Sequence, residues 1–391
     1  MGKREDRSYV MLQRHLDRQA VGFPATRSGA EIRILKHIFS PLEAEIATCL
    51  TYKPETLERV FERAADLVGS PAELAQILGD IEKKGGIEAR VKEGKKHYCN
   101  LPLVVGMYEL QSGRLTPEFV RDFDEYTRNV KFGIEYLATQ LPQLRTIPVG
   151  RSIRPINHVA TFDQVADLLE QALPPFAVVE CICRRKKEME GERCKVTERN
   201  ETCLGMGGAA ASILAVGAGK EISRRQAVEL IEQNQKEGLV LQPSNTRQPE
   251  FICSCCGCCC GVLAVHKMLP KPLEFWATNF HAVVDETLCN GCGACEKRCQ
   301  VAAVRVAAKK LPAKVERDRC IGCGLCVSAC PEEALSLRKN RVETAPPATR
   351  EELYDIMMAG KKGRLGKLKL VGKIALDSIR AGRPGWPAKL K

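Results

Sequence analysis

The sequence predicts an α+β chain of several domains, and three observations carry that reading. At 391 residues the chain exceeds the roughly 250–300 residues over which one core ordinarily grows. A helix–helix–helix–hairpin pattern occupies residues 30–112. The twenty cysteines are also unevenly placed: Cys49 and Cys99 stand alone, and all the others lie between Cys181 and Cys330.

Residues 1–29 are polar and read as an N-terminal arm. After them, EIRILKHIF has apolar residues at helical spacing, and PLEAEIATCL opens with a proline suited to a first turn. Ser70-Pro71 caps the run AELAQILGDIEKKG, which closes on Gly85-Gly86. IEARVKEGKKHYCNLPLVV then gives two short β-like runs about Glu93-Gly94. This is the order of a winged helix-turn-helix, so residues 30–112 predict a winged-helix-like domain. Its third helix carries Glu73, Asp80 and Glu82 against Lys83 and Lys84. A major-groove reader presents Arg, Asn or Gln to bases and more Lys/Arg to phosphates, so protein contact is favoured over DNA binding.

Residues 113–280 predict a mixed α/β, cysteine-rich middle domain. Thr161 and Gln164 fit a capping box ahead of VADLLEQAL, and Pro174-Pro175 ends that helix. FAVVECIC reads as a buried strand running into cysteines, with Cys181 and Cys183 on one side of it. Ser223 with Gln226 is a second capping box. Two segments supply Cys181, Cys183, Cys194 and Cys203, then Cys253, Cys255, Cys256, Cys258, Cys259 and Cys260. Buried free cysteines normally appear singly, so these ten are candidate metal ligands. Arg184 and Arg185 beside them would offset the charge of a metal–thiolate centre.

Residues 281–340 hold an internal repeat. TLCNGCGACEKRCQVAAVRV and DRCIGCGLCVSACPEEALSL both contain C-x₂-C-x₂-C-x₃-C, and each follows a strand-like run, HAVV or AKVE. Three cysteines two apart in a tight loop set three thiolates about one face of a cluster. Gly291, Gly293, Gly322 and Gly324 let backbone amides approach inorganic sulfide. This repeat closely resembles the bacterial two-cluster ferredoxins, in which the fourth Cys of each run ligates the other cluster. The resemblance implies two [4Fe–4S] clusters, one on Cys289, Cys292, Cys295 and Cys330, the other on Cys320, Cys323, Cys326 and Cys299. The second run ends in the family's Cys330-Pro331, whereas the first ends in Cys299-Gln300. That departure bears on the backbone and potential of one cluster rather than on its ligation.

With that module in place, the ten middle cysteines suffice for two further four-thiolate sites, for one iron–sulfur site plus zinc, or for a thiol-based redox patch. Spacing does not decide their pairing. The CxCR…C…C stretch, ISRRQAVELIEQNQKEGLV, ICSCCGCCC and the terminal module together resemble a family of multidomain 4Fe–4S binding proteins of anaerobes. That resemblance covers about residues 30–340 and implies a winged-helix-like N-terminus and electron carriers without an assigned reaction.

The formal charge is +12, yet ten Lys/Arg and one Asp follow from Lys361 onward. The excess therefore sits in a basic tail, residues 341–391, and each four-thiolate [4Fe–4S]²⁺ centre subtracts about two charges more. General nucleic-acid affinity does not follow. In the tail Leu365, Leu368, Leu370, Ile374, Leu376 and Ile379 lie among basic residues, as in a solvated, partly disordered end or a segment docking on an acidic protein or membrane surface. The N-terminus lacks an apolar signal core, and clustered cysteines without one point to metal binding in a reducing cytoplasm.

Weaker signals have plainer readings. Gly205, Gly207 and Ala210 match G-x-G-x-x-A without a clear preceding strand, which favours a small-residue packing helix over a dinucleotide site. His15, His37, His97, His158, His266 and His281 show no metal-ligand spacing, and Cys49 and Cys99 read as structural. No acid–base or nucleophile constellation is present. The sequence therefore favours an electron-transfer protein or subunit serving a partner oxidoreductase or flavoprotein. The alternatives are a redox-sensing regulator using the winged helix, and an enzyme with its site in the cysteine-rich middle.

Overall fold

The structure, a computed structural model, describes residues 2–152 and 161–382 and is a mixture of helices and strands. His158 and the last nine residues of the basic tail lie outside the described residues.

Near the N-terminus, β1 (Glu55–Thr56), β2 (Ile87–Lys92) and β3 (Lys95–Asn100) form an antiparallel sheet in the order β1-β3-β2. Glu93 and Gly94 take φ of 51° and 75°, the left-handed pair that a two-residue hairpin turn requires. Helices Ala30–Ile38, Pro41–Ala47, Leu57–Ala64 and Pro71–Lys83 pack beside this sheet. Ser70 caps the last of them by accepting the N–H of Glu73 at 3.2 Å.

The N-terminal arm expected over residues 1–29 is instead a helix, Gly2–Asp17. Tyr9, Leu12 and Leu16 recur at helical spacing and are buried in the same core as Ile34, Leu50 and Leu78. A single narrow apolar stripe was enough to dock a segment that is polar overall.

Five strands form the central sheet: β4 (Phe176–Glu180), β5 (Glu201–Met206), β6 (Gly219–Ile222), β7 (Val240–Pro243) and β8 (Phe251–Cys255). All pairings are antiparallel, in the order β6-β4-β5-β8-β7. Helices Val165–Gln171 and Arg224–Glu237 bury Leu168, Leu169, Ala227 and Ile231 against one face. Helix Gly207–Ala215 lies between β4 and β2, with Ala210 and Ile213 in the N-terminal core. Gly205 therefore lies at the end of a strand, and Gly207 and Ala210 follow it. That strand belongs to an antiparallel sheet, not to the parallel βαβ unit of a dinucleotide site.

Two local expectations are corrected. Helix Val165–Gln171 starts on Gln164 without a side-chain cap, and Thr161–Asp163 is a separate 3₁₀ turn. Asp163 is drawn into a buried ion pair with Arg145 at 2.8 Å and accepts Asn279 Nδ2 at 2.8 Å. The strand through FAVVECIC ends at Glu180, because Cys181 becomes the N-cap of helix Ile182–Met189. The capping box of Ser223 and Gln226 is present.

The C-terminal third contains β9 (Phe280–Val284) paired with β12 (Leu335–Lys339), and β10 (Val304–Arg305) paired with β11 (Lys314–Val315). Short helices Ala294–Arg298 and Leu325–Ser328 follow the two cysteine loops. The tail is structured rather than solvated over its described length. Helix Arg350–Ala359 buries Leu353, Tyr354 and Met357 against Ala20 and Val21. Helix Arg364–Arg380 buries Leu370 and Ile374 against Leu137 and Leu269. Leu365, Leu368, Leu376 and Ile379 remain exposed.

Candidate metal centres

The two cysteine loops near the C-terminus are built alike. Gly291, Gly293, Gly322 and Gly324 all have φ between 65° and 78°, a region that side chains disfavour. At Gly291 a Cβ would lie 2.5 Å from Leu311 O, and at Gly322 it would collide with Phe280 O. Only glycine lets the chain pass there.

Cys289, Cys292, Cys295 and Cys330 line one small cavity together. Cys299, from the first run, instead faces Cys320, Cys323 and Cys326, each of whose thiols it raises electrostatically. Burial is the larger cause of those raised pKa values, and it keeps unligated thiols protonated. Backbone N–H groups aim at sulfur from outside both loops. Ala282 donates to Cys320 Sγ at 3.3 Å, Ala303 to Cys299 Sγ at 3.2 Å and Ala313 to Cys289 Sγ at 3.4 Å. Converging thiols, amide donors and glycine loops fit thiolate-held iron–sulfur clusters. Cys292 is exposed, whereas Cys320 and Cys326 are buried. The set containing Cys292 is thus the one nearer solvent.

The ten middle cysteines divide into two groups, and both cysteine segments contribute to each. Cys181, Cys183, Cys260, Cys255, Cys253 and Cys203 form a ring in which each thiol shifts the ionisation of two neighbours. The ring borders a cavity of about 170 Å³ that also reaches Val105, Gly106 and Glu109. Cys194, Cys256, Cys258 and Cys259 form the second group, with all four sulfurs within 4.8 Å of one another. Local backbone explains the division. The strand ending at Cys255 places Cys253 and Cys255 at the ring, and the turn 256–259 directs three thiols away from it. Cys260, as N-cap of helix Gly261–Met268, then returns to the ring. All twenty cysteines are free thiols.

Arg184 lies between the two groups. It is buried, donates to Ser254 O at 3.3 Å and to Thr202 Oγ1, and reaches Cys256 Sγ at 3.9 Å. Burial opposes its charge, yet Cys181, Cys203 and Cys256 hold the guanidinium more firmly protonated than usual. Arg185 instead reaches the surface, where it pairs with Glu180 and Glu188.

Four residues other than the cysteines complete these sites. Glu109 accepts the N–H of Gly106 at 2.7 Å, and burial pushes its carboxyl up to about 7. Val105, also bordering the cavity, has φ of 55°, a conformation that costs a β-branched residue of order 1–3 kcal/mol. Arg298 donates to Glu237 O at 3.0 Å, Gln235 O at 3.3 Å and Lys236 O at 2.5 Å, so it caps the C-terminus of helix Arg224–Glu237. Arg319 does the same for helix Gly261–Met268, donating to Leu269 O at 3.0 Å and Lys267 O at 3.1 Å. A cation at that helix end is favourable. The only sequence sign of these four was a charged residue within an otherwise apolar stretch (Glu109) or directly beside a cysteine (Arg298, Arg319). Val105 gave none.

Among the other candidates, His266 is buried edge-on against Trp276 and held down to about 3 by burial. His281 bonds Asn340 Oδ1 at 2.9 Å. Cys49 lies beyond its helix, half-buried, 3.4 Å from Arg63 O. Cys99 is buried beside Glu88 on β3.

The loops, amides and sulfur sets together define an iron–sulfur protein. Residues 282–337 match the family of 4Fe–4S dicluster domains. No curated protein and no solved structure matches the chain.

Proposed function

We propose that this chain is an electron-transfer protein with an exposed entry site and a buried inner site, working with a partner oxidoreductase. The dicluster module supplies two [4Fe–4S] clusters, on Cys289, Cys292, Cys295 and Cys330 and on Cys320, Cys323, Cys326 and Cys299. The six-thiol ring holds a third iron–sulfur cluster. One-electron transfer is the chemistry such clusters supply when bound.

The observation that carries this reading is a shared core. Cys253, Cys255 and Cys260 of the ring pack in one apolar cluster with Cys289, Cys295, Cys299, Cys320, Cys323, Cys326 and Cys330. Gln300, directly after Cys299, accepts the N–H of Gly257 at 2.8 Å, in the turn that separates ring cysteines Cys255 and Cys260. A short line of chain therefore runs from exposed Cys292 through Cys299 and Gln300 to Gly257 and Cys260. Arg184 offsets thiolate charge at its inner end.

Of the two glycine loops, the one at Gly293 suits partner docking. A side chain there would meet nothing within 4 Å, whereas Gly324 is packed beneath Ser152. Exposed Leu365, Leu368, Leu376 and Ile379 beside Lys369 and Arg380 offer a second docking surface for an acidic protein or anionic membrane. No helix among the described residues is long and apolar enough to cross a membrane. The N-terminal helices and three-stranded sheet support the winged-helix reading. Helix Pro71–Lys83 exposes Glu73, and its C-cap Lys84 pairs with Glu43 at 2.6 Å, which favours protein contact over DNA.

Anaerobic iron and sulfide analysis tests the proposal. The intact chain should carry about twelve irons, and a Cys203→Ser/Cys253→Ser variant about eight, with the remaining clusters still reducible. Eight irons in both proteins would remove the inner cluster. No reducible cluster in the intact chain would end the electron-transfer reading altogether.

A further inference from the structure

We propose that Cys194, Cys256, Cys258 and Cys259 hold a single divalent metal ion, zinc, in a tetrathiolate site separate from every iron–sulfur centre. The spacing of the sulfurs selects this chemistry. Cys194 Sγ lies 3.6 Å from both Cys256 Sγ and Cys258 Sγ, and Cys258 Sγ lies 3.6 Å from Cys259 Sγ. Four sulfurs at about 2.3 Å from one tetrahedral zinc are about 3.8 Å apart. A cubane binds each thiolate to a different iron and needs a wider set. A disulfide needs sulfurs at about 2.05 Å. Among the described residues this is the set of metal-ligating atoms that closes within 4.8 Å.

The surroundings are those of a bound thiolate centre. The N–H of Lys195 donates to Cys258 Sγ at 3.4 Å, and the N–H of Val196 to Cys194 Sγ at 3.5 Å. Such amide donors orient metal-bound sulfur and spread its charge. Arg184 approaches Cys256 from the protein interior at 3.9 Å, while Arg193 and Lys195 flank Cys194 on the exposed side. Four thiolates about one divalent ion make a centre of charge −2 beside these three cations. Four protein ligands close the coordination shell, so the site is structural rather than catalytic.

Its place in the fold gives it a task. Cys194 lies in the loop between helix Ile182–Met189 and β5; the other three lie between β8 and helix Gly261–Met268. A metal joining those loops pins together the two segments whose remaining cysteines make the six-thiol ring. The ion fastens the rim of the inner site and, being redox-inert as zinc, takes no part in electron flow.

Metal analysis of the intact, anaerobically purified chain should find one zinc per chain in addition to iron. Cys194→Ser and Cys258→Ser should each lose that zinc while keeping the dicluster iron and sulfide, which also shows that the variants fold. Protein produced with cobalt(II) should show the ligand-field bands of a tetrahedral tetrathiolate, absent in both variants. A chain without zinc, zinc unchanged by both substitutions, or loss of sulfide in step with loss of Cys194 would each overturn the assignment. These outcomes do not depend on whether the ring carries iron.

Discussion

Gln300 Oε1 accepts the backbone N–H of Gly257 at 2.8 Å, joining the residue after the last cysteine of one run to the turn between Cys256 and Cys258. The contact is close enough that a side chain on Gly257 would collide with Gln300 O. Arg298, on the other side of Cys299, caps helix Arg224–Glu237. Cys299 is thus clamped from both neighbours onto the central domain. A proline at position 300, the usual ending of such runs, has no side-chain acceptor to offer. The departure from the family pattern is the docking device itself.

Replacing Gln300 by Ala should therefore loosen the turn 256–259 without unbinding the dicluster. One hydrogen bond is worth about 1 kcal/mol, so amide exchange over residues 253–260 should speed up about fivefold. Gln300→Pro should do the same. Hydrogen exchange read by mass spectrometry, with iron content unchanged, checks both. Unaltered exchange in the two variants would show that the clamp carries no weight.

Arg298 makes a stronger test of the same docking. Its three carbonyl bonds are charge-assisted, and such bonds contribute about 1.5–3 kcal/mol. Arg298→Ala should fray the end of helix Arg224–Glu237 and lower the midpoint of thermal unfolding. Arg298→Lys should recover only part of that loss, because an ammonium cannot span three carbonyls as a planar fork does. Full recovery by lysine would mean that charge alone matters at this helix end.

The glycines of the cluster loops make unequal demands. Gly293 needs only its left-handed φ of 78°, with open space around it. Alanine there costs roughly 1–2 kcal/mol and should leave iron content intact. Gly322→Ala brings the same strain and also drives Cβ into the backbone at Phe280 O, so the loop must move. About four irons per chain should be lost. Iron and sulfide measured on both variants separate the two effects.

The repeated cysteine spacing was legible from the sequence because a cluster loop is a local structure, fixed by three thiols and two glycines. The cap at Ser70, the capping box at Ser223 and the turn at Glu93-Gly94 were legible for the same reason. The partition of the ten middle cysteines was not. It depends on strands β4, β5 and β8 meeting in an antiparallel sheet, which brings Cys203 beside Cys181 and Cys253 across large gaps in the chain. The helix at Gly2–Asp17 was hidden because three apolar residues among many charges carry little signal until a core exists to receive them. Cys181 as a helix cap, rather than a strand residue, was hidden by the β-like run that precedes it.

Glu88 ties three parts of the molecule together, and its ionisation should govern how firmly they hold. It is buried, pairs with Arg350 and lies 3.2 Å from Arg90, which also reaches Glu250 at 2.5 Å. Hairpin, central sheet and C-terminal helix meet at this network. Burial disfavours the Glu88 carboxylate, but the two guanidinium groups outweigh it and hold its pKa down to about 2, against an ordinary 4.5. A depressed folded-state value means that the stabilisation is fully present above the unfolded value. It is lost as pH falls from about 4.5 toward 2. Glu88→Gln removes the charge at every pH and leaves two buried cations short of a partner, a loss of about 3–5 kcal/mol. At pH 7 the variant should melt well below the wild type and release helix Arg350–Ala359 to protease. Between pH 4.5 and 2 the gap should close, because the carboxylate takes up its proton first in the unfolded chain. A gap in melting temperature that stays constant between pH 7 and pH 3 would place the effect in packing rather than in charge.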